Sequence, residues 1–480
     1  ALALALALLV PLAAPRAEGP TPAGRGDPAL VEAFGKALAD EALKGARIGL
    51  YVVRLPGGEP IFERNAAERL HPASNTKLVT TAAAFSLLGP AYTWHTDLAV
   101  DSLGDKGEAG TLYLIGGGDP RFVSESLWRL VEDARLAGLT RVKGDLVVDE
   151  TWLGPQHEAP GYADKAQDAA YRAPSGATTL NWNSVSIRVV PGAAVGKPPV
   201  VTIEPGEGYV ELRNTATTSR KGAERLTVSA KAEGGRTRIT VGGRIPLKHR
   251  GITVRRRIDD PALFAGYAAR AMLKAAGIEV KGKVKAGEAP KKRRRLARVR
   301  SRTLAMMAAD VNKLSNNVMA EHLLRTLGRE KGAAGDWDAG RAVVTDFLTK
   351  TVGIRGFTYR NGSGLFGDTA FSAKEMVAVL RHMHTRTPAL PEYAASLAIG
   401  GLDGTLRRRM KGFPPLAVRA KTGTLSGVIA LSGYVTFADG SMGAFSFLFN
   451  DVKARPWVVW KAQDAMAKTL TAWSPPGKGR

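Results

Sequence analysis

The chain has no cysteine among its 480 residues. That excludes disulfides, cysteine-ligated zinc and a thiol nucleophile. Histidine is scarce, with seven residues, and none stands in a metal pattern such as H-E-x-x-H. His382 and His384 form H-x-H, which reads as a surface pair. Ser363 sits in G-S-G and not in the G-x-S-x-G of a nucleophile elbow. Asp119 follows three glycines, but no helix-opening phosphate loop is evident there, so "GGGDP" reads as a turn. Nothing in these patterns calls for a metal or a cofactor. Acid is the minority charge: 44 acidic residues face 68 basic ones, for a net charge of +24. Such a surface attracts polyanions, yet no nucleic-acid module is recognisable. Anionic lipids, anionic wall polymers and carboxylate-rich peptides fit an exported protein better. The densest runs, Arg255–Arg257 and Lys291–Arg295, also fit a solvated rim.

Long apolar runs are absent apart from the first residues. "ALALALALLVPLAAPRAEGP" holds an apolar stretch of about a dozen residues, the length of a signal-peptide core and too short to span a bilayer. A cut after Ala14 or Ala17 makes residues 1–17 a partial signal peptide and the protein an exported one, of the periplasm or cell envelope.

What remains is a globular chain long enough for two or three domains, with no repeat of fixed period. Asp27-Pro28 predicts a helix start, with Leu30, Val31, Phe34 and Leu38 at helical spacing and Gly45 as its end. "RIGLYVVRL" and "IFERN" predict a hairpin across "PGGEP". The next helix ends at Gly89-Pro90 and is apolar on more than one side, the mark of a buried central helix. From about Ala91 to Arg257, strand-like runs alternate with turns. Asp259-Asp260-Pro261 caps a new helix, and helices dominate to about Thr387. Three antiparallel strands then run from Leu416 to Asn450, and Pro456 opens a last helix. These patterns predict an α+β fold in which 18–95 and 256–480 make one domain and 96–255 a β-rich insertion of one or two modules.

Three motifs carry chemistry together. Ser74-Asn75-Thr76-Lys77 puts a serine and a lysine on one helical face. A serine nucleophile needs an adjacent base, and a buried lysine can supply it. Ser315-Asn316-Asn317 offers a second hydroxyl and an amide, with Lys313 just upstream. Lys421-Thr422-Gly423-Thr424 offers a charge and two hydroxyls on a strand whose glycine admits a close approach.

S-x-x-K on a buried helix, S-x-N among helices and K-T-G on a late strand resemble the signature of penicillin-recognising acyl-serine transferases. The distance from Ser74 to Ser315 leaves room for an insertion. The chain is therefore similar to the class C low-molecular-mass penicillin-binding proteins, D-alanyl-D-alanine carboxypeptidases of the penicillin-binding protein 4 type. "LYLIGGGDP", "GDLVVDE", "APSGATTLNWNSV", "NGSGL" and "IGGLDGTLRRRM" also match, over roughly Pro28 to Val452. Asn361 departs from the family, which usually has Asp before G-S-G-L.

The resemblance implies a penicillin-binding, serine β-lactamase-like domain with Ser74 as nucleophile, Lys77 as base and Ser315 passing a proton to the leaving D-alanine. It implies that Asn317 binds the substrate amide and that Lys421, Thr422 and Thr424 bind the terminal carboxylate, with Gly423 between them. Backbone N–H groups of Ser74 and Thr424 would form the oxyanion hole. Partners would be peptidoglycan stem peptides, with β-lactams as acylating inhibitors. Asp164, Asp168 and Tyr171 of the insertion could reach the site, where an acid could grip the amine of a diaminopimelate peptide. Endopeptidase cleavage, a quiet wall-binding role, and a β-lactamase or esterase activity stay open as alternatives.

Overall fold

A computed structural model of the chain describes residues 24–475, save Ala166 and Arg386. The expected signal peptide lies outside the described residues. The domain that holds both ends of the chain contributes the elements β1–β7 and α1–α8. Asp27 Oδ1 accepts from Ala29 N and Leu30 N and opens α1 (Pro28–Ala37), which stops well before Gly45. A seven-stranded sheet follows, built from β1 (Arg25–Gly26), β2 (Arg47–Arg54), β3 (Pro60–Arg64), β4 (Ala398–Ile399), β5 (Val418–Leu425), β6 (Val428–Thr436) and β7 (Met442–Asn450). Its order is β1-β3-β2-β7-β6-β5-β4. β2 pairs antiparallel with β7, Arg47 opposite Asn450, so strands from both ends of the chain close one sheet.

Period-two alternation decides what each face meets. Phe445, Phe447 and Phe449 of β7 pack with Leu30 and Phe34 of α1 and with Val459 and Leu470 of α8 (Pro456–Ala472). Ala444 and Leu448 turn to the opposite face, against α2 (Thr76–Leu88) and the helices around it. Every residue from Thr76 to Phe85 is buried. This is the expected central helix, preceded by a 3₁₀ turn over Ala73–Asn75. The remaining helices are α3 (Leu304–Lys313), α4 (Asn317–Lys331), α5 (Trp337–Asp346), α6 (Ala373–Thr385) and α7 (Leu390–Ala395). No helix among the described residues is long and apolar enough to cross a membrane.

The insertion is larger than 96–255. Its five-stranded sheet ends with His95–Val100 paired to Arg294–Arg300. Val284–Ala286 joins the other edge, beside Leu146–Asp149. The helix Pro261–Ala275 packs on that sheet, and its Phe264, Ala265 and Leu273 share one core with Leu112, Val148 and Ile187. The unit therefore runs from about His95 to Arg300. It also holds the amphipathic helix Ser124–Leu136, within a stretch expected to be almost all β. The strands between Ser184 and Arg257 form two further sheets nested inside it.

Candidate active site

Ser74 lies in the tight turn before α2. Ala73 holds a left-handed φ of 47°, and its N–H donates to His71 Nδ1 at 3.0 Å. His71 is tied in turn to the Asn450 amide at the end of β7. Asn75 donates to Ser432 Oγ on β6 at 2.7 Å. The turn that carries Ser74 is thus held on the sheet from both sides, and its strained backbone persists because these contacts over-determine it.

Lys77 lies in the first turn of α2 and is fully buried. Its Nζ lies 2.9 Å from Ser74 Oγ, 2.7 Å from Asn317 Oδ1 and 2.8 Å from the Ser363 carbonyl. Burial pulls its pKa from 10.5 down to about 7, against the opposing pull of Glu321. A neutral amine has two N–H groups and one lone pair. Two of its neighbours, an amide oxygen and a backbone carbonyl, can only accept. They take both N–H groups and leave the lone pair for the Ser74 hydroxyl.

The second motif splits by role. Ser315 sits between α3 and α4 at a φ of 59°. Asn316 caps α4 through Met319 N. Asn317 accepts from Lys77 and donates through Nδ2 to the Tyr171 carbonyl at 2.8 Å. Lys313 is spent outside the centre, paired to Asp403 at 2.5 Å.

The third motif lies on β5. Lys421 is fully buried and donates to Ser315 Oγ at 2.9 Å and to Thr422 O at 2.6 Å. Burial and the neighbouring Lys77 hold its pKa well below 10.5. Its Nζ is therefore committed to Ser315 and is not an open ammonium. Thr422 Oγ1 meets Thr405 Oγ1 at 2.8 Å, and Thr424 is exposed. The close approach at Gly423 is internal: a Cβ there would stand 2.8 Å from Pro72 O and 3.1 Å from Ser74 N.

Three of the insertion's residues take different places. Tyr171 reaches the centre through its carbonyl, while its ring is exposed and its hydroxyl donates to Gln167. Asp168 is turned to Ala230 N at 2.9 Å and to Arg256 at 3.3 Å, so its carboxylate already serves the insertion's own strands. Asp164 is exposed. Asn361 replaces the family's Asp without an unmet partner: Nδ2 donates to Pro160 O and Leu365 O, and Oδ1 accepts from Gly364 N. Reading the sequence missed Glu321 and Tyr162, and it weighed Ser363 only as a nucleophile and not for its carbonyl on Lys77. The one signal for Glu321 was an acid inside the apolar run "VMAEHLL". The Tyr162 hydroxyl lies 3.1 Å from Ser363 Oγ, so the insertion supports the loop that holds Lys77.

Comparison with known proteins bears on the family and the fold. The family described as "D-Ala-D-Ala carboxypeptidase 3 (S13) family" matches residues 30–473. A D-alanyl-D-alanine carboxypeptidase of Actinomadura sp. is 35% identical, over 91% of this chain and 83% of its own length. The crystal structure of penicillin binding protein 4 from Haemophilus influenzae superposes with a TM-score of 0.80 at 21% identity, covering 92% of this chain and 99% of that one. A predatory endopeptidase of Bdellovibrio bacteriovorus shares the fold at a TM-score of 0.52 and 16% identity, covering 88% of this chain and 94% of that one.

Proposed function

The chain belongs to the D-Ala-D-Ala carboxypeptidase 3 (S13) family of serine carboxypeptidases, and from that premise we propose a mechanism in which Ser74 forms the acyl-enzyme. Neutral Lys77 takes the proton from Ser74 Oγ as the oxygen attacks the carbonyl between two D-alanines. The N–H groups of Ser74 and Thr424 receive the oxyanion, a contribution of about 10²–10³ in rate for one donor. Ser315, held by Lys421, passes a proton to the departing D-alanine nitrogen. Thr422 and Thr424 bind the terminal carboxylate, and the free Nδ2–H of Asn317 binds the substrate amide. Water then attacks the acyl carbon, one of its protons goes to Ser74 Oγ as the ester bond breaks, and the proton held by Lys77 replaces the one Ser315 gave up. The observation that carries this reading is the three-point seat of Lys77 Nζ on Ser74, Asn317 and Ser363.

A β-lactam presents the same acyl-D-alanyl-D-alanine shape and acylates the same oxygen. Cross-linked peptides are a second substrate class, a reading favoured by the endopeptidase that shares the fold. The protein works after export, in the periplasm or cell envelope. Fluorescent penicillin labels the wild type and not Ser74→Ala, and the wild type releases D-alanine from a stem pentapeptide. Labelling that survives Ser74→Ala rules out this nucleophile. A wild type that is neither labelled nor releases D-alanine leaves a wall-binding protein.

The basic surface supports an anionic partner in the same compartment. Five arginines, Arg255, Arg300 and Arg302 among them, outnumber Asp119, Glu125 and Glu204 around a cleft of about 670 Å³ beside Trp182. Binding of an anionic wall polymer there weakens as salt screens it. Sedimentation with purified sacculi therefore falls between low and high ionic strength, and salt-independent sedimentation excludes this partner.

A further inference from the structure

Two buried lysines lie next to each other in this site, and all their hydrogen bonds go to neutral groups. Lys77 binds Ser74, Asn317 and the Ser363 carbonyl, and Lys421 binds Ser315 and the Thr422 carbonyl. Buried charge without a counter-charge is costly. The acid nearest along the hydrogen-bond chain is Glu321, itself buried. Its Oε1 accepts from Ser363 N at 2.9 Å. Its Oε2 accepts from Gly362 N at 3.0 Å and from Trp337 Nε1 at 2.9 Å. Every one of these partners is an N–H donor, the arrangement an ionised carboxylate requires.

The next peptide along carries the Ser363 carbonyl to Lys77. Both fixed acceptors of the lysine thus depend on one helix. Asn317 provides the first from the start of α4. Glu321, one turn later on the same face, sets the second by gripping Gly362 and Ser363. We propose that Glu321 is the positioning residue of the general base: its carboxylate fixes the Ser363 carbonyl against Lys77 Nζ, and its charge supports the ammonium formed when Lys77 takes the Ser74 proton. This rests on the reading that Lys77 deprotonates Ser74.

The surroundings make the charge effect separable. Facing Glu321 are Lys77 from α2, with Lys421 behind it, Tyr162 from the insertion, Tyr359, and Arg325 one turn on in α4. Arg325 stacks on the Trp337 ring at 4.3 Å. Glu321 pushes Lys77, Tyr162, Tyr359 and Arg325 upward. Lys77 is brought to about 7 and Arg325 only to about 10, and the tyrosines are held above their usual range. Lys421 is also held well below its usual value, but by burial and Lys77 and not by Glu321, so a limb that moves with the Glu321 charge reports Lys77.

The test is the pH profile of acylation by a fluorescent penicillin and of D-alanine release, read on wild type, Glu321→Gln, Glu321→Asp and Trp337→Phe. Glu321→Gln loses about tenfold or more at pH 8, because a misplaced base costs up to about 10²-fold. Its acid limb moves to lower pH, because the charge that favours the ammonium is gone. Glu321→Asp keeps the charge, so its limb stays with the wild type while the rate drops about tenfold. Trp337→Phe removes one donor, lowers the melting temperature and leaves the limb in place. A purely structural Glu321 would lower stability and rate without moving the limb. A folded Glu321→Gln whose limb coincides with the wild type overturns the proposal. Should Glu321→Gln not fold, a fully active Glu321→Asp overturns it. A wild type that is never acylated instead removes the underlying mechanism.

Discussion

A methyl group on Gly423 would lie 2.8 Å from Pro72 O, 3.0 Å from Ala73 Cβ and 3.1 Å from Ser74 N. Two of these three are backbone atoms of the turn that carries Ser74, so the strain cannot be taken up by a flexible side-chain tip. Gly423→Ala therefore displaces Ser74, and a shift of about 1 Å costs about 10²-fold in rate. Penicillin acylation should fall by that order while the melting temperature drops only by a few degrees. Unchanged acylation would mean that β5 can yield instead. Lys77→Arg tests the base itself. A guanidinium keeps its proton at working pH, so the general-base contribution of about 10²–10⁴ is lost. The residual rate of that variant has no acid limb near pH 7, where wild-type Lys77 gains its proton. Asn361 carries the opposite lesson. An Asp there would turn a carboxylate oxygen toward Pro160 O and Leu365 O, where Nδ2 now donates. Leaving both acceptors unmet costs about 1–3 kcal/mol each. Chemical denaturation of Asn361→Asp should show a loss of that order.

Ser315 joins α3 to α4 at a left-handed φ of 59°, a conformation that costs a residue with a Cβ about 1–2 kcal/mol. The strain aims its hydroxyl at Lys421. Replacement by glycine relieves the strain, whereas alanine keeps it, and both lose the hydroxyl. Ser315→Gly should therefore exceed Ser315→Ala by about 1 kcal/mol in urea stability, with equal loss of D-alanine release. A more stable alanine variant would show that the turn is not strained. The elements themselves were legible to different degrees. The late strands declared themselves because Val418–Asn450 alternates apolar and small residues around two turns. The central helix did so because Leu78, Val79, Ala82 and Phe85 leave no polar face. The end of the insertion stayed hidden. The cap Asp260 and the apolar stripe of Pro261–Ala275 would look the same against either domain, and only the pairing of His95–Val100 with Arg294–Arg300 assigns them. Glu321 was hidden for a related reason: two of its three donors are backbone N–H groups of a distant loop, and backbone leaves no mark in sequence.

The insertion and the catalytic domain meet through buried polar groups on α4, and these tie the whole molecule to pH. Arg325 donates to the carbonyls of Ser175 and Gly335. His322 lies 3.1 Å from Gly118 O and 2.9 Å from Thr179 Oγ1, and burial lowers its pKa from 6.5 to about 4. Next to Gly118, Asp119 is also buried, and burial raises it from 3.8 to about 6. The two linkages have opposite signs. Between pH 6.5 and about 4 the unfolded chain binds the His322 proton first, so acid removes stability. Between pH 6 and about 3.8 the folded chain binds the Asp119 proton first, so acid adds stability. Each contribution is about 3 kcal/mol by linkage, and across this window they nearly offset. Single variants should separate them. His322→Gln keeps a donor and an acceptor but cannot charge, so its melting temperature relative to wild type rises as pH falls from 6.5 to 4. Asp119→Asn keeps the bond from Arg121 N and loses the stabilising protonation, so its relative melting temperature falls over the same range. Calorimetry of the three proteins at matched ionic strength reads both slopes. Parallel curves for all three would mean that the junction titrates in neither direction and that acid enters the molecule elsewhere.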